Sequence, residues 1–183
     1  MIPKNRDRVL SREVTVTQIP SGDKQVLPVG SRIQIHQTLG GSYTVQTDHG
    51  LFRIDGKDGD ALGEEASDHT IQAETLADGA PSPDALWDQL RKVYDPEIPV
   101  NIVDLGLIYD CHLSPLGDNS YKADVKMTLT APGCGMGPVL AQDVQNKLIS
   151  LEGIEDVNVE LVWEPQWNQN MMTEAAKLQL GLL

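Results

Sequence analysis

The sequence predicts an α+β protein: a small β-rich N-terminal unit, then an α-β-β-α-β-α domain with its helices packed on one face of a small sheet. Three observations carry that expectation. Between Glu13 and Ile54 the apolar residues alternate in short runs separated by turn signals. From Ser82 onward, stretches with helical three- and four-residue spacing take turns with stretches of strand-like alternation. Between the two lies an acidic, small-residue stretch with Pro81 and Pro83 near its end, which reads as a linker. The expected organisation is a β-rich domain over residues 1–63, a linker over 64–83 and a second domain over 84–183.

In the first unit, Val14 and Val16, Ile33 and Ile35, Tyr43 and Val45, and Phe52 and Ile54 mark the strands. Ser21-Gly22-Asp23, Pro28-Val29-Gly30, Gly40-Gly41 and Asp48-His49-Gly50 supply the turns, and a partly closed barrel or curled sheet is expected. His36 and His49 lie in or beside these strands with no Cys or carboxylate cluster near in sequence, so both read as surface or turn residues. The run from Asp55 to Gly63 is acidic and Gly-rich, but its oxygen ligands miss the EF-hand offsets, so no calcium loop is assigned.

The second unit opens with a Ser82 or Asp84 cap and a short helix carrying Leu86, Trp87, Leu90 and Val93, which Asp95-Pro96 ends. A strand is expected from Ile102 to Leu113, with Leu105, Leu107, Tyr109, Cys111 and Leu113 on one face. A hairpin turn at Leu116-Gly117-Asp118-Asn119 leads to a second strand, Lys122 to Thr130, with Ala123, Val125, Met127 and Leu129 inward. A helix follows on Met136, Val139, Leu140, Val144 and Leu148, stopped at Glu152-Gly153. Val157, Val159, Leu161 and Trp163 then form a third strand, and Met171 to Leu180 a last helix.

Composition excludes several functions. A net charge of -13 argues against a nucleic-acid partner, whose phosphates need Lys and Arg. The first thirty residues hold no continuous apolar stretch, so neither a signal peptide nor a membrane span is expected, and the chain reads as cytoplasmic. Cys111 and Cys134 are too few for a disulfide framework and are not a CxxC pair, which fits a reducing compartment.

The candidate working residue is Cys134, in Pro132-Gly133-Cys134-Gly135-Met136-Gly137-Pro138 just before the middle helix. Pro138 suits a first helical turn, and the free N–H groups and positive dipole end there favour an anion, whether thiolate, sulfide or phosphate. Gly133, Gly135 and Gly137 free the backbone for left-handed angles or close approach. Cys111, on an inward strand face, reads as a small core hydrophobe. Asp95, Glu97, Asp104 and Asp110 cluster on the other loop and strand, where Asp95 or Asp104 either orients the loop through backbone N–H groups or ligates a metal with Cys134. Thr128 and Thr130 point away from the core and either line the Cys134 mouth or sit on a solvated face. His112 lies opposite Cys111, toward solvent. Trp163, Trp167, Met171 and Met172 suit a lid, an interaction surface or core filling.

Asp95-Pro96-Glu97-Ile98-Pro99-Val100-Asn101-Ile102-Val103-Asp104-Leu105-Gly106-Leu107-Ile108-Tyr109, followed by Met127-Thr128-Leu129-Thr130-Ala131-Pro132-Gly133-Cys134, resembles the family of metal-sulfur cluster assembly factors that includes the eukaryotic cytosolic targeting factor and the bacterial accessory protein PaaD. The resemblance spans about residues 84–163, and the β-rich front with the Trp163-to-Ala176 tail is similar to its SufT branch. It implies a non-enzymatic role in maturing iron-sulfur proteins, with the reactive cysteine on Cys134 and Asp95, Glu97, Asp104, Thr130, Gly133 and Gly135 shaping its mouth. Gly135 stands where many relatives have Pro, and Gln166 where a second Pro is common. The implied cargo is iron, sulfide or a transient iron-sulfur cluster, and the implied partners are scaffold or carrier proteins and client apoproteins. A cubane cluster wants four thiolates, and one chain offers a single plausible one. A homo-oligomer sharing a cluster is therefore expected, the alternatives being small thiols and carboxylates completing the shell, or docking with no cluster held. Two other readings stay open: a thiol enzyme or redox protein, with His112 approaching in space as base, and a pure adaptor for which Cys134 is dispensable.

Overall fold

The computed structural model describes residues 6–39, 41–65, 74–95 and 97–183. The chain divides into two compact units, residues 1–68 and 69–183. The expected linker falls partly on residues 66–73, and the expected helix stop and one turn fall on Pro96 and Gly40, all of which lie outside the described residues.

The first unit is a six-stranded antiparallel sheet in the order β1-β4-β5-β6-β2-β3, built from β1 (Asp7–Val9), β2 (Val14–Ile19), β3 (Lys24–Leu27), β4 (Arg32–Leu39), β5 (Ser42–Thr47) and β6 (Gly50–Ile54). The four expected strands are present. Two more, β1 and β3, were not visible because three or four mostly exposed residues carry no alternation to read. Among the described residues β1 pairs with β4 and β3 with β2, so the ladder runs open from one end to the other rather than closing as a barrel. Val14, Val16, Ile33, Val45, Phe52 and Ile54 are buried in one core with Ala61 and Leu62. Those last two belong to a 3₁₀ helix, Gly56–Leu62, in the stretch where a calcium loop was set aside. Arg12 bridges its Asp58 and Asp60.

In the second unit α1 (Pro83–Leu90) begins where Ser82 accepts the Ala85 N–H, with Pro83 in the first turn. β7 (Ile108–Gly117) and β8 (Ser120–Met127) form an antiparallel hairpin around Asp118-Asn119, with Asn119 at φ 56°. α2 (Gly137–Ile149) carries the chain over to β9 (Ile154–Leu161), which pairs parallel to β8. The sheet is thus mixed, in the order β7-β8-β9. Cys111 and Leu113 stand opposite Val125 and Ala123, and these stand beside Val159 and Val157, so one face is apolar. That face shares a core with Leu86 and Leu90 of α1 and with Leu140, Val144 and Leu148 of α2. The other face carries Asp110, His112, Lys122, Asp124 and Asp156, where Lys122 pairs with Asp124 and Asp156 and His112 Nδ1 lies 3.0 Å from Asp110.

Two expected elements are displaced. The strand expected from Ile102 starts instead at Ile108, because residues 102–106 fold into turns. Asn101 accepts the Asp104 N–H at 2.9 Å and donates its amide to the Asp104 carboxylate at 2.7 Å. Gly106 then turns the chain at φ 75°. Leu105 and Leu107 are buried all the same, from turns rather than a strand. The helix expected from Met171 begins only at Glu174, as α3 (Glu174–Gln179), because Thr173 caps it by accepting the Ala176 N–H. A short 3₁₀ turn, Gln169–Met171, precedes it.

Candidate functional site

Register brings three loops to one end of the second sheet. Ile108 at the start of β7 faces Met127 at the end of β8, and β8 and β9 run parallel to finish together at Met127 and Leu161. Residues 101–107, 128–136 and 162–172 therefore converge. The Thr128 N–H bonds to the Leu107 carbonyl and the Val162 N–H to the Met127 carbonyl, both at 2.8 Å. This is the carboxyl end of a β-α-β unit, where parallel sheets place their ligands.

Cys134 lies in the β8-to-α2 loop. It is half-buried against the core, while Ala131, Pro132, Gly133 and Gly135 around it are exposed. Its thiol makes no hydrogen bond among the described residues, and its carbonyl accepts the Gly137 N–H at 3.1 Å. The helix proper starts three residues on, at Gly137, with Met136 at the cap position supplying no side-chain acceptor. Cys134 therefore precedes the cap rather than abutting the helix. Two of the loop glycines meet different constraints. Gly133 takes φ 77°, which an L-residue adopts only at a cost. At Gly137 a Cβ would come within 2.7 Å of Leu129 Cδ1, the end of a flexible side chain that would have to move aside.

The carboxylates brace a loop. Asp95 is 6 % exposed and accepts the Glu97 N–H at 2.9 Å. Burial pushes its carboxyl above the ordinary value, with the Glu97 and Ile98 N–H groups pulling less strongly the other way. Asp104 is engaged with Asn101, as above, and its carbonyl accepts the Thr173 N–H at 2.9 Å. Glu97 is exposed. Among the described residues no group of three or more His, Cys, Asp or Glu side chains could hold a metal ion. Cys111 faces the core, half-buried, and burial, then Asp110, pushes its thiol up to about 11. His112 is exposed and sits 3.0 Å from Asp110.

Beside the Cys134 loop is a groove of about 250 Å³ lined by Thr128, Leu129, Thr130 and Pro132 on one side and Trp163, Glu164, Gln166 and Trp167 on the other. Cys134 is not a lining residue, but Pro132, two positions before it, is. Thr128 lines the groove and is only 1 % exposed, so it does not sit on a solvated face as one reading allowed: its bond to Leu107 lies past the end of β8, where strand alternation no longer applies. The second wall is a strap pinned in place. Trp167 Nε1 donates to the Leu105 carbonyl and the Tyr109 hydroxyl to the Pro165 carbonyl, each at 2.7 Å. Met172 is buried and Trp163 exposed, so the tail both fills core and presents surface. Sequence reasoning missed Glu164 and Gln166 as groove residues and Tyr109 as a pin.

Fold and site together define an α+β protein whose β-α-β unit offers a half-buried thiol next to a polar, aromatic groove. The chain belongs to a family described as iron-sulfur cluster assembly proteins, whose pattern residues 83–161 match. It is 48% identical over 94 residues to an Fe-S protein maturation auxiliary factor of Porphyromonas gingivalis, covering 51% of this chain and 86% of that protein. It is 38% identical over 93 residues to the Fe-S protein maturation auxiliary factor YitW of Bacillus subtilis (51% and 87%). Over 90 residues it is 40% identical to the Fe-S protein maturation auxiliary factor SufT of Staphylococcus aureus (49% and 98%). Among the described residues, no helix is long and apolar enough to cross a membrane.

Proposed function

We infer that this protein is an accessory factor in iron-sulfur protein maturation that receives iron, sulfide or a cluster as cargo on Cys134 and passes it to client apoproteins. The observation that carries this is the setting of Cys134: a thiol with no hydrogen-bond partner among the described residues, half-buried in a loop at the carboxyl end of a β-α-β unit, inside the segment that matches the family. Names of the relatives support the process, and the site's chemistry supports the role of the residue. A thiolate is the soft ligand that iron and sulfide chemistry requires. Asp95 and Asp104 hold the neighbouring loop in shape, Gly133 and Gly135 leave the approach clear, and Thr130 edges the adjoining groove. With one such thiol per chain, a cubane is completed by a second copy, small thiols or a partner's cysteines.

Anaerobic reconstitution with iron and sulfide tests the role. The wild-type chain gives a visible charge-transfer band that Cys134→Ala lacks while remaining folded. In cells, Cys134→Ser abolishes client-enzyme maturation without loss of folded protein. An unchanged band together with unchanged maturation overturns the thiol's role and leaves docking as the function.

A further inference from the structure

The groove beside Cys134 has a size and chemistry that specify an occupant. Its volume of about 250 Å³ falls below the roughly 300–1,000 Å³ of sites that enclose drug-sized ligands, which suits one long side chain. Thr128, 1 % exposed, lies on its wall. Among the described residues neither the Thr130 hydroxyl nor the Glu164 carboxylate has a hydrogen-bond partner. No Lys or Arg lines the groove, two tryptophans do, and the chain as a whole carries a net charge of -13. Trp163 is exposed, ready to receive a flat group.

A carboxylate, two hydroxyl oxygens and an indole together suit a planar cation. A guanidinium presents five N–H donors in a fixed fork and a face that stacks on an aromatic ring. An ammonium offers a compact, strongly hydrated charge and no face to stack. An anionic side chain would meet Glu164 with nothing to offset the repulsion, and a purely apolar one would make no use of the Glu164 carboxylate.

We propose that this groove docks an arginine side chain from a segment of a partner protein, held between Glu164 and the Thr128 and Thr130 hydroxyls and stacked on Trp163. Naming that partner as a client or carrier in iron-sulfur maturation rests on the function proposed above. The groove then sets which proteins reach Cys134, while Cys134 handles the cargo.

The test uses the full chain and three short blocked peptides, acetyl-Gly-Arg-Gly-amide and its lysine and glutamate counterparts, followed by the indole N–H resonances of the three tryptophans. The arginine peptide shifts the Trp163 resonance and leaves Trp87 in place, and its binding weakens with added salt. Glu164→Gln and Trp163→Ala, both at exposed positions, each weaken it about two- to fivefold. Thr128→Val, which removes the hydroxyl at similar volume, weakens it as well. Equal binding of the lysine or glutamate peptide, or no Trp163 response to the arginine peptide, overturns the proposal. If arginine docking fails while maturation still depends on Cys134, the docking alone is rejected. If docking holds while Cys134→Ser matures clients normally, the thiol's role is what falls.

Discussion

Gly106 and Gly133 offer a matched pair of substitutions that isolates what the strap contributes. Both take left-handed φ, 75° and 77°, which costs an L-residue about 1–2 kcal/mol. Their surroundings differ. A Cβ on Gly133 meets nothing within 4 Å, whereas one on Gly106 overlaps the Met171 carbonyl oxygen and comes within 2.7 Å of its carbon. Because the obstacle is backbone, it yields only if the strap moves. The bonds from Trp167 to Leu105 and from Tyr109 to Pro165 are then exposed to loss, at roughly 0.5–1.5 kcal/mol each. Gly133→Ala should therefore cost about 1–2 kcal/mol and Gly106→Ala about 2–5 kcal/mol. All three tryptophans lie within residues 69–183, so fluorescence-detected urea unfolding reports the second unit alone. Each cost is read from the shift in midpoint at unchanged slope. If the two variants agree within about 0.5 kcal/mol, the contact between Gly106 and the strap is not a constraint and the pinned-wall description of the groove is wrong.

Two further outcomes follow from titratable groups. With its thiol pushed up to about 11 by burial, Cys111 is thiolate in only about one molecule in a thousand at pH 8. Brief iodoacetamide treatment of the folded chain should label Cys134 and spare Cys111 until denaturant is added, and peptide mass spectrometry showing Cys111 labelled first would contradict its placement. Burial raises the Asp95 carboxyl above its ordinary 3.8, so folding favours the protonated form. Its contribution is fully present below the unfolded value and is lost as pH rises through the folded one. Asp95→Asn keeps an acceptor for the Glu97 N–H and stays neutral, so its stability should gain on the parent as pH climbs from about 4 toward 7. A difference that does not change with pH, measured by urea midpoints, would show that burial is not what governs this carboxyl.

Long, periodic elements were legible in the sequence, and irregular ones were not. Val139, Leu140, Val144 and Leu148 announce α2 because a buried helical face needs that spacing, and all four are buried. Alternation around Val125 and Met127 likewise marks β8. Leu105 and Leu107 alternate too, yet belong to turns, since the mutual bonds of Asn101 and Asp104 outweigh a two-residue pattern. β1 and β3 escaped notice because edge strands with exposed side chains lack the contrast on which periodicity depends. Cys134 could be singled out from its glycines and the following helix. The groove could not, because Glu164 and Gln166 meet Thr128 only through the parallel pairing of β8 with β9, more than thirty residues apart in sequence.

The two sequence motifs divide the labour of the site. Residues 95–109 are rich in acids and prolines and invite a chemical role, yet in the structure they act as a mount. Asp95 holds Glu97, Asn101 holds Asp104, and the carbonyls of Leu105 and Asp104 accept Trp167 and the Thr173 N–H. Every one of those bonds ends on backbone, so the mount fixes main-chain position and leaves few side-chain groups free for cargo. Glu97 and Pro99 of the mount stay exposed, and the other accessible residues belong to the 128–136 loop and to the strap that the mount secures. On the role proposed for Cys134, a change in the first motif should thus act on the thiol indirectly, by shifting the wall beside it, whereas Cys134→Ala should remove the cargo contact and leave the wall standing.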